Sequence, residues 1–307
     1  MTTPSPTARL EDGWRRFWFA EIPPHSYAVL RILTGIVGLA TLVGAWNPAF
    51  WDVDGIVPLS GAWGLGPWLL AHGLGHIAGR LLRDLLVIAY ACMAVGIFTP
   101  VTVPLVFLGS TGMLSWNFLP YSGAQQLLHE VPFCLIFVDS GAVWSVDAWS
   151  RNRKGSAGPT RLEPIWPLRL LQFQLALLYF AAGLWKLGNA TWRSGQALHY
   201  VLNDQLYQRI PGDLPEVFFG ATVALTYLTL VWELTFPLLV CFRATRPVAL
   251  VIGLLLHLGM WVTLEVGAFM PTVLIAYVAF LDPCQTERRV RRWLPSARAV
   301  VPSGSPG

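Results

Sequence analysis

Leu175-Ala176-Leu177-Leu178-Tyr179-Phe180-Ala181-Ala182-Gly183-Leu184-Trp185-Lys186-Leu187 closes an apolar run that opens at residue 165. A helix of about 20 mostly apolar residues crosses the hydrocarbon core of a bilayer, and this run is long enough to do so. It also carries more than lipid-facing surface. Counting back by sevens from Lys186 reaches Tyr179 and then Gln172, so three polar side chains share one helical face, flanked at Ala182 and Gly183 by small residues.

Outward from this run, apolar segments recur at 27–45, 81–98, 101–117, 125–140, 218–242, 247–264 and 268–282, which with 165–187 predicts eight spans. The predicted fold class is an all-α polytopic membrane bundle. It divides into an N-terminal segment 1–26, a transmembrane domain 27–283 and a basic, then Pro/Ser/Gly-rich tail 284–307. The apolar but Gly-rich stretch 63–79 reads as an interfacial or re-entrant helix. Composition agrees: 54% of the 307 residues are apolar, only 12% are charged, and the mean hydropathy is +0.53, which excludes a pair of soluble domains.

The 21 basic residues lie scattered between apolar blocks, as in the loops of a membrane protein, which argues against a nucleic-acid partner. With the N-terminus inside, Arg9, Arg15, Arg16, Arg151, Arg153, Lys154, Arg161, Arg243, Arg246, Arg288, Arg289, Arg291, Arg292 and Arg298 are cytoplasmic, whereas the outer side holds Arg80, Arg83, Arg193 and Arg209. That imbalance predicts cytoplasmic termini and a multi-pass protein of a bacterial plasma membrane. Segment 27–45 also competes as a signal peptide through Val43-Gly44-Ala45, but it is long for a signal core and begins far from Met1. The arginines around Val290, Trp293 and Leu294 read as a stop-transfer flank or as a helix on an anionic leaflet.

An ionisable side chain inside a span costs roughly 2.5–3.5 kcal/mol on insertion scales, so each one needs a partner or a role. Distance from the nearest loop sorts them into an inner layer of Arg31, Arg169 and Glu233 and an outer layer of His129, Glu130, Lys186, His257 and Glu265. Glu233 is expected to pair with Arg31. Lys186 and Lys154 are the only lysines, and a buried lysine can become a base or nucleophile where an arginine cannot. Two readings of Lys186 stand: a base facing an apolar ligand, or a span-ending residue that snorkels and pairs with Glu265. His257 reads either as a second polar group of that site or as a helix-to-helix hydrogen bond. His129-Glu130 opens like a zinc-protease motif, but Pro132 and Phe133 break it, and His72 and His76 have no third ligand, so no metal site is predicted. The four cysteines form no CxxC pair, and neither a G-x-S-x-G elbow nor a P-loop occurs.

More specific motifs begin at Trp144-Ser145-Val146-Asp147. They continue through Tyr179-Phe180-Ala181-Ala182-Gly183-Leu184-Trp185-Lys186-Leu187 and Trp192-Arg193-Ser194-Gly195-Gln196-Ala197, then Glu233, His257 and Gly267-Ala268-Phe269. Together these resemble the horizontally transferred transmembrane (HTTM) domain family, which includes the vitamin K-dependent gamma-carboxylase, most closely over 139–283. The resemblance implies a lysine that deprotonates vitamin K hydroquinone, so that reaction with oxygen yields a base strong enough to remove a glutamate proton before carbon dioxide adds. That lysine corresponds to Lys186. The resemblance therefore implies a catalytic role for Lys186 and reduced vitamin K or menaquinone as the cofactor; the polar stripe, its small residues and the depth of His257 then predict a quinol site lined by Gln172, Tyr179, Ala182 and Gly183, with His257 as a second catalytic group. The carboxylase's Asn-Asn-His run is replaced here by Ser122-Gly123-Ala124, and His129, about one helical turn further on, is the candidate substitute for its assisting histidine. The chain ends about 25 residues after its last span, so no lumenal peptide-gripping region is expected.

Two functions of different classes are compatible with these residues. One is a quinol-dependent membrane enzyme of oxygenase or carboxylase type. The other is a non-enzymatic component of a peptide maturation or export system, partnered by an accessory protein or a secreted peptide, in which the polar residues only hold helices together within the lipid bilayer. Neither an inverted repeat nor paired broken helices of the kind transporters use are present in the sequence.

Overall fold

A computed structural model describes residues 5–44, 72, 75–116, 123–155 and 161–293. The chain is mostly helical. In order it forms α1 (Pro6–Phe19), β1 (Glu21–Ile22), α2 (His25–Gly44), α3 (Gly75–Val95), α4 (Thr99–Trp116), α5 (Gly123–Leu135), α6 (Val146–Arg153), β2 (Glu163–Pro164), α7 (Trp166–Gly188), α8 (Ala190–Arg193), α9 (Ala197–Leu202), α10 (Phe219–Cys241), α11 (Arg246–Thr263), α12 (Phe269–Tyr277) and α13 (Pro283–Trp293). Each of the eight predicted segments falls on a helix. Four runs are long and apolar enough to cross a membrane by themselves: His25–Gly44, Trp166–Gly188, Glu216–Cys241 and Arg246–Thr263. Thr99–Met113 and Phe269–Phe280 are shorter apolar helices. The expectation for 63–79 falls mainly outside the described residues; its last five positions open α3.

Polarity is distributed as in a membrane protein. Phe173, Val231 and Leu255 are about 60% exposed, while Glu233 and His257 are buried at 6% and 5%. The chain separates into two compact units, one running to Leu171 and resuming at Leu281, the other spanning Gln172–Phe280.

In the first unit, β1 and β2 pair antiparallel, Glu21 opposite Pro164 and Ile22 opposite Glu163, and the Ile165 amide donates to the Ala20 carbonyl at 2.8 Å. The first turns of α2 and α7 are thereby set side by side, and the Tyr27 hydroxyl fastens them by donating to the Pro164 carbonyl. Arg31, fully buried, donates to the carbonyls of Ser140 (3.0 Å), Met93 (2.6 Å), Ala94 (3.0 Å) and Trp144 (2.7 Å). This corrects the expected Arg31–Glu233 pair. The five-donor guanidinium satisfies carbonyls freed at the end of α3 and in the segment after α5, which a rule based on depth alone could not foresee.

Asp147 ties the same layer to α4. Its carboxylate accepts from the amides of Phe98 (2.9 Å) and Thr99 (2.8 Å) and from the Thr99 hydroxyl (2.9 Å), capping the helix start. Partial burial pushes this carboxyl upward, but those hydrogen bonds and the nearby Arg151 outweigh it and hold it below the usual aspartate range. Gly96 closes α3 at φ +74°, and a β-carbon there would lie 2.6 Å from the Arg31 guanidinium, so glycine meets both the turn and the packing.

Candidate functional site

The second unit is organised by the part of α7 that carries the polar stripe. Gln172, the lowest member, donates its amide to the Ala279 carbonyl just beyond α12. Tyr179 is 2% exposed; its hydroxyl lies 2.7 Å from His257 Nε2 on α11 and 3.3 Å from the Tyr277 hydroxyl on α12. Trp232 and Phe236 of α10 pack their rings edge-on to Tyr179, each with centroids 4.6 Å away. Gly253 lets α11 approach closely enough for its backbone to abut Trp232 and Tyr277, and the Trp232 indole donates to the Ala249 carbonyl at 2.9 Å.

Two turns above Tyr179, Lys186 forms an ion pair and hydrogen bond with Glu233 Oε1. The lysine side chain is 21% exposed and the glutamate 8%. The Lys186 ammonium also sits 5.0 Å from the Trp192 ring centre, a cation–π contact from α8. Trp232, the neighbour of Glu233, packs its ring 4.6 Å from Tyr179 and 6.0 Å from His257, so the ion pair and the hydrogen-bonded trio belong to one polar cluster. Among the described residues, Glu233 Oε2 and His257 Nδ1 are buried and without a partner.

The pairing corrects two expectations drawn from depth. Glu265 pairs with Arg209 (Nε–Oε1 2.9 Å), not with Lys186, and Glu233 is not in a separate inner layer. The cause lies in the chain beyond the end of α7. A β-carbon at Gly183 would come within 3.1–3.2 Å of Leu234 and Glu233, and one at Gly195 within 2.9 Å of Val223 and Tyr227. α10 therefore runs on for more than two turns past the end of α7, and α8 and α9 pack beside that extension. Lys186 ends its own helix but lies level with the middle of α10.

The segment Trp192-Arg193-Ser194-Gly195 builds this arrangement. Arg193 donates to the carbonyls of Leu187 (3.2 Å) and Gly188 (2.9 Å), capping the end of α7 with a cation where the helix dipole is negative. Its own carbonyl accepts the Tyr227 hydroxyl at 2.9 Å. Gly195 has φ +79° and faces α10 without a side chain. Arg193 and Trp192 stand in a motif visible from sequence, but their roles, capping the lysine's helix and covering its ammonium, needed the fold to become visible.

A family model of the HTTM domain matches residues 19–284. The chain belongs to the HTTM domain family. No solved structure matches it. In this HTTM domain the structure brings together Lys186, Tyr179 and His257 of the residues singled out from sequence. Gly183 is present at the same place as the close-packing point of α7 on α10, and Ala182 is half-buried on α7 beside it. His129 belongs to the first unit, where it stacks on Phe107 with ring centres 4.5 Å apart and lies 3.1 Å from the Ser110 hydroxyl. Its neighbour Glu130 accepts from Gln126 at 2.8 Å.

Proposed function

We propose that this HTTM domain is a quinol-dependent membrane enzyme in which Lys186, held by Glu233, serves as the base. The observation that carries the reading is the Lys186–Glu233 pair, which puts a scarce lysine against a carboxylate level with the middle of α10. A carboxylate partner does not disable the amine. Transfer of one proton from Nζ to Oε1 turns the ion pair into a neutral amine and a neutral acid, and a site poor in water favours removing both charges together. Glu233 then stores the proton while Lys186 accepts another.

The residues fit a quinol. Glu233 Oε2 and His257 Nδ1 are buried polar atoms with spare hydrogen-bonding capacity among the described residues, suited to ring hydroxyls, and the Trp192 ring at Lys186 and the Phe269 ring at His257 offer aromatic surface to a quinol ring. Bound there, reduced vitamin K or menaquinone would supply the electrons for reaction with oxygen. The Tyr277–Tyr179–His257 chain orients the imidazole so that Nδ1 is its free end, and Trp192 shields the lysine from above. The substrate deprotonated in turn is a peptide or small molecule delivered by a partner or from the bilayer.

The same proposal includes eight crossings with both termini cytoplasmic. The strand pair sets the starts of α2 and α7 at one level, which supports an even number of crossings before α7. Arg31, six residues into α2, reaches both the end of α3 and the segment after α5, as expected when α2, α3, α4 and α5 alternate in direction. That level also bears Arg151 and Arg153, in keeping with a cytoplasmic face.

A second reading, a non-enzymatic component of peptide maturation or export, is favoured by the packing duties of Gln172, Tyr179 and Gly183, each engaged with a neighbouring helix. Photolabelling separates the two. A photoreactive menaquinone analogue irradiated with the purified protein is expected to mark the peptide 179–196 and to be displaced by menaquinone. Labelling spread over all apolar helices, undiminished by menaquinone, would favour the second reading.

A further inference from the structure

Helix α1 lies outside the polar cluster and has an exposed apolar stripe. Leu10, Trp14 and Phe17 recur at spacings of four and three, within about 60° of one another around the helix. They are 74%, 63% and 46% exposed, so the described residues leave most of the stripe uncovered, Phe17 least so because Arg169 lies over its ring. Asp12, Arg15 and Arg16 lie toward the opposite side, and Arg9 and Glu11 flank the stripe. A helix with this face in a water-soluble setting would be an aggregation hazard.

Its position gives the reason. The Phe17 carbonyl accepts from Arg169 Nε at 3.3 Å, and the same guanidinium lies 4.4 Å from the centre of the Phe17 ring. Arg169 stands in the first turn of α7, and the β1–β2 pair begins two residues after α1 ends. The end of α1 is therefore pinned at the level where two candidate spans, α2 and α7, both begin. That is the height of the boundary between lipid headgroups and acyl chains. The structure assigns α1 as an in-plane membrane helix: we propose that Leu10, Trp14 and Phe17 insert into the leaflet facing the N-terminus, with Arg9, Arg15 and Arg16 meeting anionic headgroups. The charges complement such a leaflet, three arginines against Glu11 and Asp12. The assignment rests on α2 and α7 crossing the bilayer and is independent of the quinol chemistry.

Site-directed spin labelling of the full chain in phosphatidylcholine–phosphatidylglycerol vesicles tests it. Labels replace Leu10, Asp12, Trp14, Arg15 and Phe17 one at a time, after the four native cysteines are changed to serine or alanine. The ratio of collisions with oxygen to collisions with a water-soluble nickel chelate should be several-fold higher at positions 10, 14 and 17 than at 12 and 15. Equal ratios at all five, or low access to both colliders at 10, 14 and 17, would overturn the proposal; the latter result would place the stripe against protein. Should the cysteine-free chain fail to fold, an environment-sensitive fluorescent amino acid at the same positions in the native chain gives the same comparison through quenching by brominated lipid.

Discussion

Replacing Lys186 and Glu233 singly and together should expose a strong, unequal coupling. Lys186→Leu strands a carboxylate that is 8% exposed and whose second oxygen already has no partner among the described residues. Stranding a buried charge costs about 3–5 kcal/mol. Glu233→Leu strands an ammonium that is 21% exposed and still faces Trp192 at 5.0 Å. That cation keeps some water and its aromatic partner, so its loss of stability should be smaller, about 1–3 kcal/mol. The double variant removes both charges and should lie within about 1 kcal/mol of the native protein, so the sum of the single losses exceeds it by at least about 3 kcal/mol and centrally by about 5 kcal/mol, which is the coupling. The assay is equilibrium unfolding of purified protein in mixed micelles, followed by far-ultraviolet circular dichroism as denaturing detergent is titrated in. Additive single effects would refute the pairing. Rescue of Glu233→Leu by Arg31→Leu would refute the assignment of Arg31 to backbone carbonyls.

Single contacts lead to further outcomes. Asp147 has its carboxyl held below the ordinary value of 3.8, so the stability it contributes is fully present above that value and is lost as pH falls through the folded value. Asp147→Asn should therefore melt lower than wild type at neutral pH and converge with it in acid, as read by melting curves across the acid range. Gly195→Ala forces a side chain into φ +79° against Tyr227 and Val223 and should destabilise the fold by about 1–2 kcal/mol, whereas Gly188→Ala, with open space around it, should cost less than about 0.5 kcal/mol; thermal melts compare them. Reporter fusions after Ala157 and Gly307 should both report cytoplasm, and a periplasmic signal at either would break the eight-crossing topology.

The helices were legible in the sequence because apolar length is a strong signal: all eight segments overlap helices, and four of these are long and apolar enough to cross a membrane. The residues of the cluster were legible too, since a scarce lysine, a seven-residue polar stripe and a mid-span histidine each stand out against an apolar background. Partner choice was not. Depth counted from loop ends assumes that neighbouring helices end level with one another, and α7 and α10 do not, because Gly183 and Gly195 seat α7 and the succeeding turns against the flank of a longer α10. Arg31 escaped for another reason. Its partners are backbone carbonyls, which leave no mark in side-chain chemistry. Arg193 was hidden similarly, since a cap on a helix end is visible only once that end is known.

Quinol turnover by this HTTM domain needs a working base at Lys186, not a clasp between helices. Its most direct measurement is the epoxide formed when the purified full chain receives reduced menaquinone or reduced vitamin K with oxygen, for wild type, Lys186→Arg and Lys186→Ala. Arginine keeps the charge opposite Glu233 but cannot give up its proton, so a base at Lys186 gives epoxide from the wild type and none from either variant, with Lys186→Arg folded normally. Equal epoxide from wild type and folded Lys186→Arg, or none from wild type with either quinol, would contradict it.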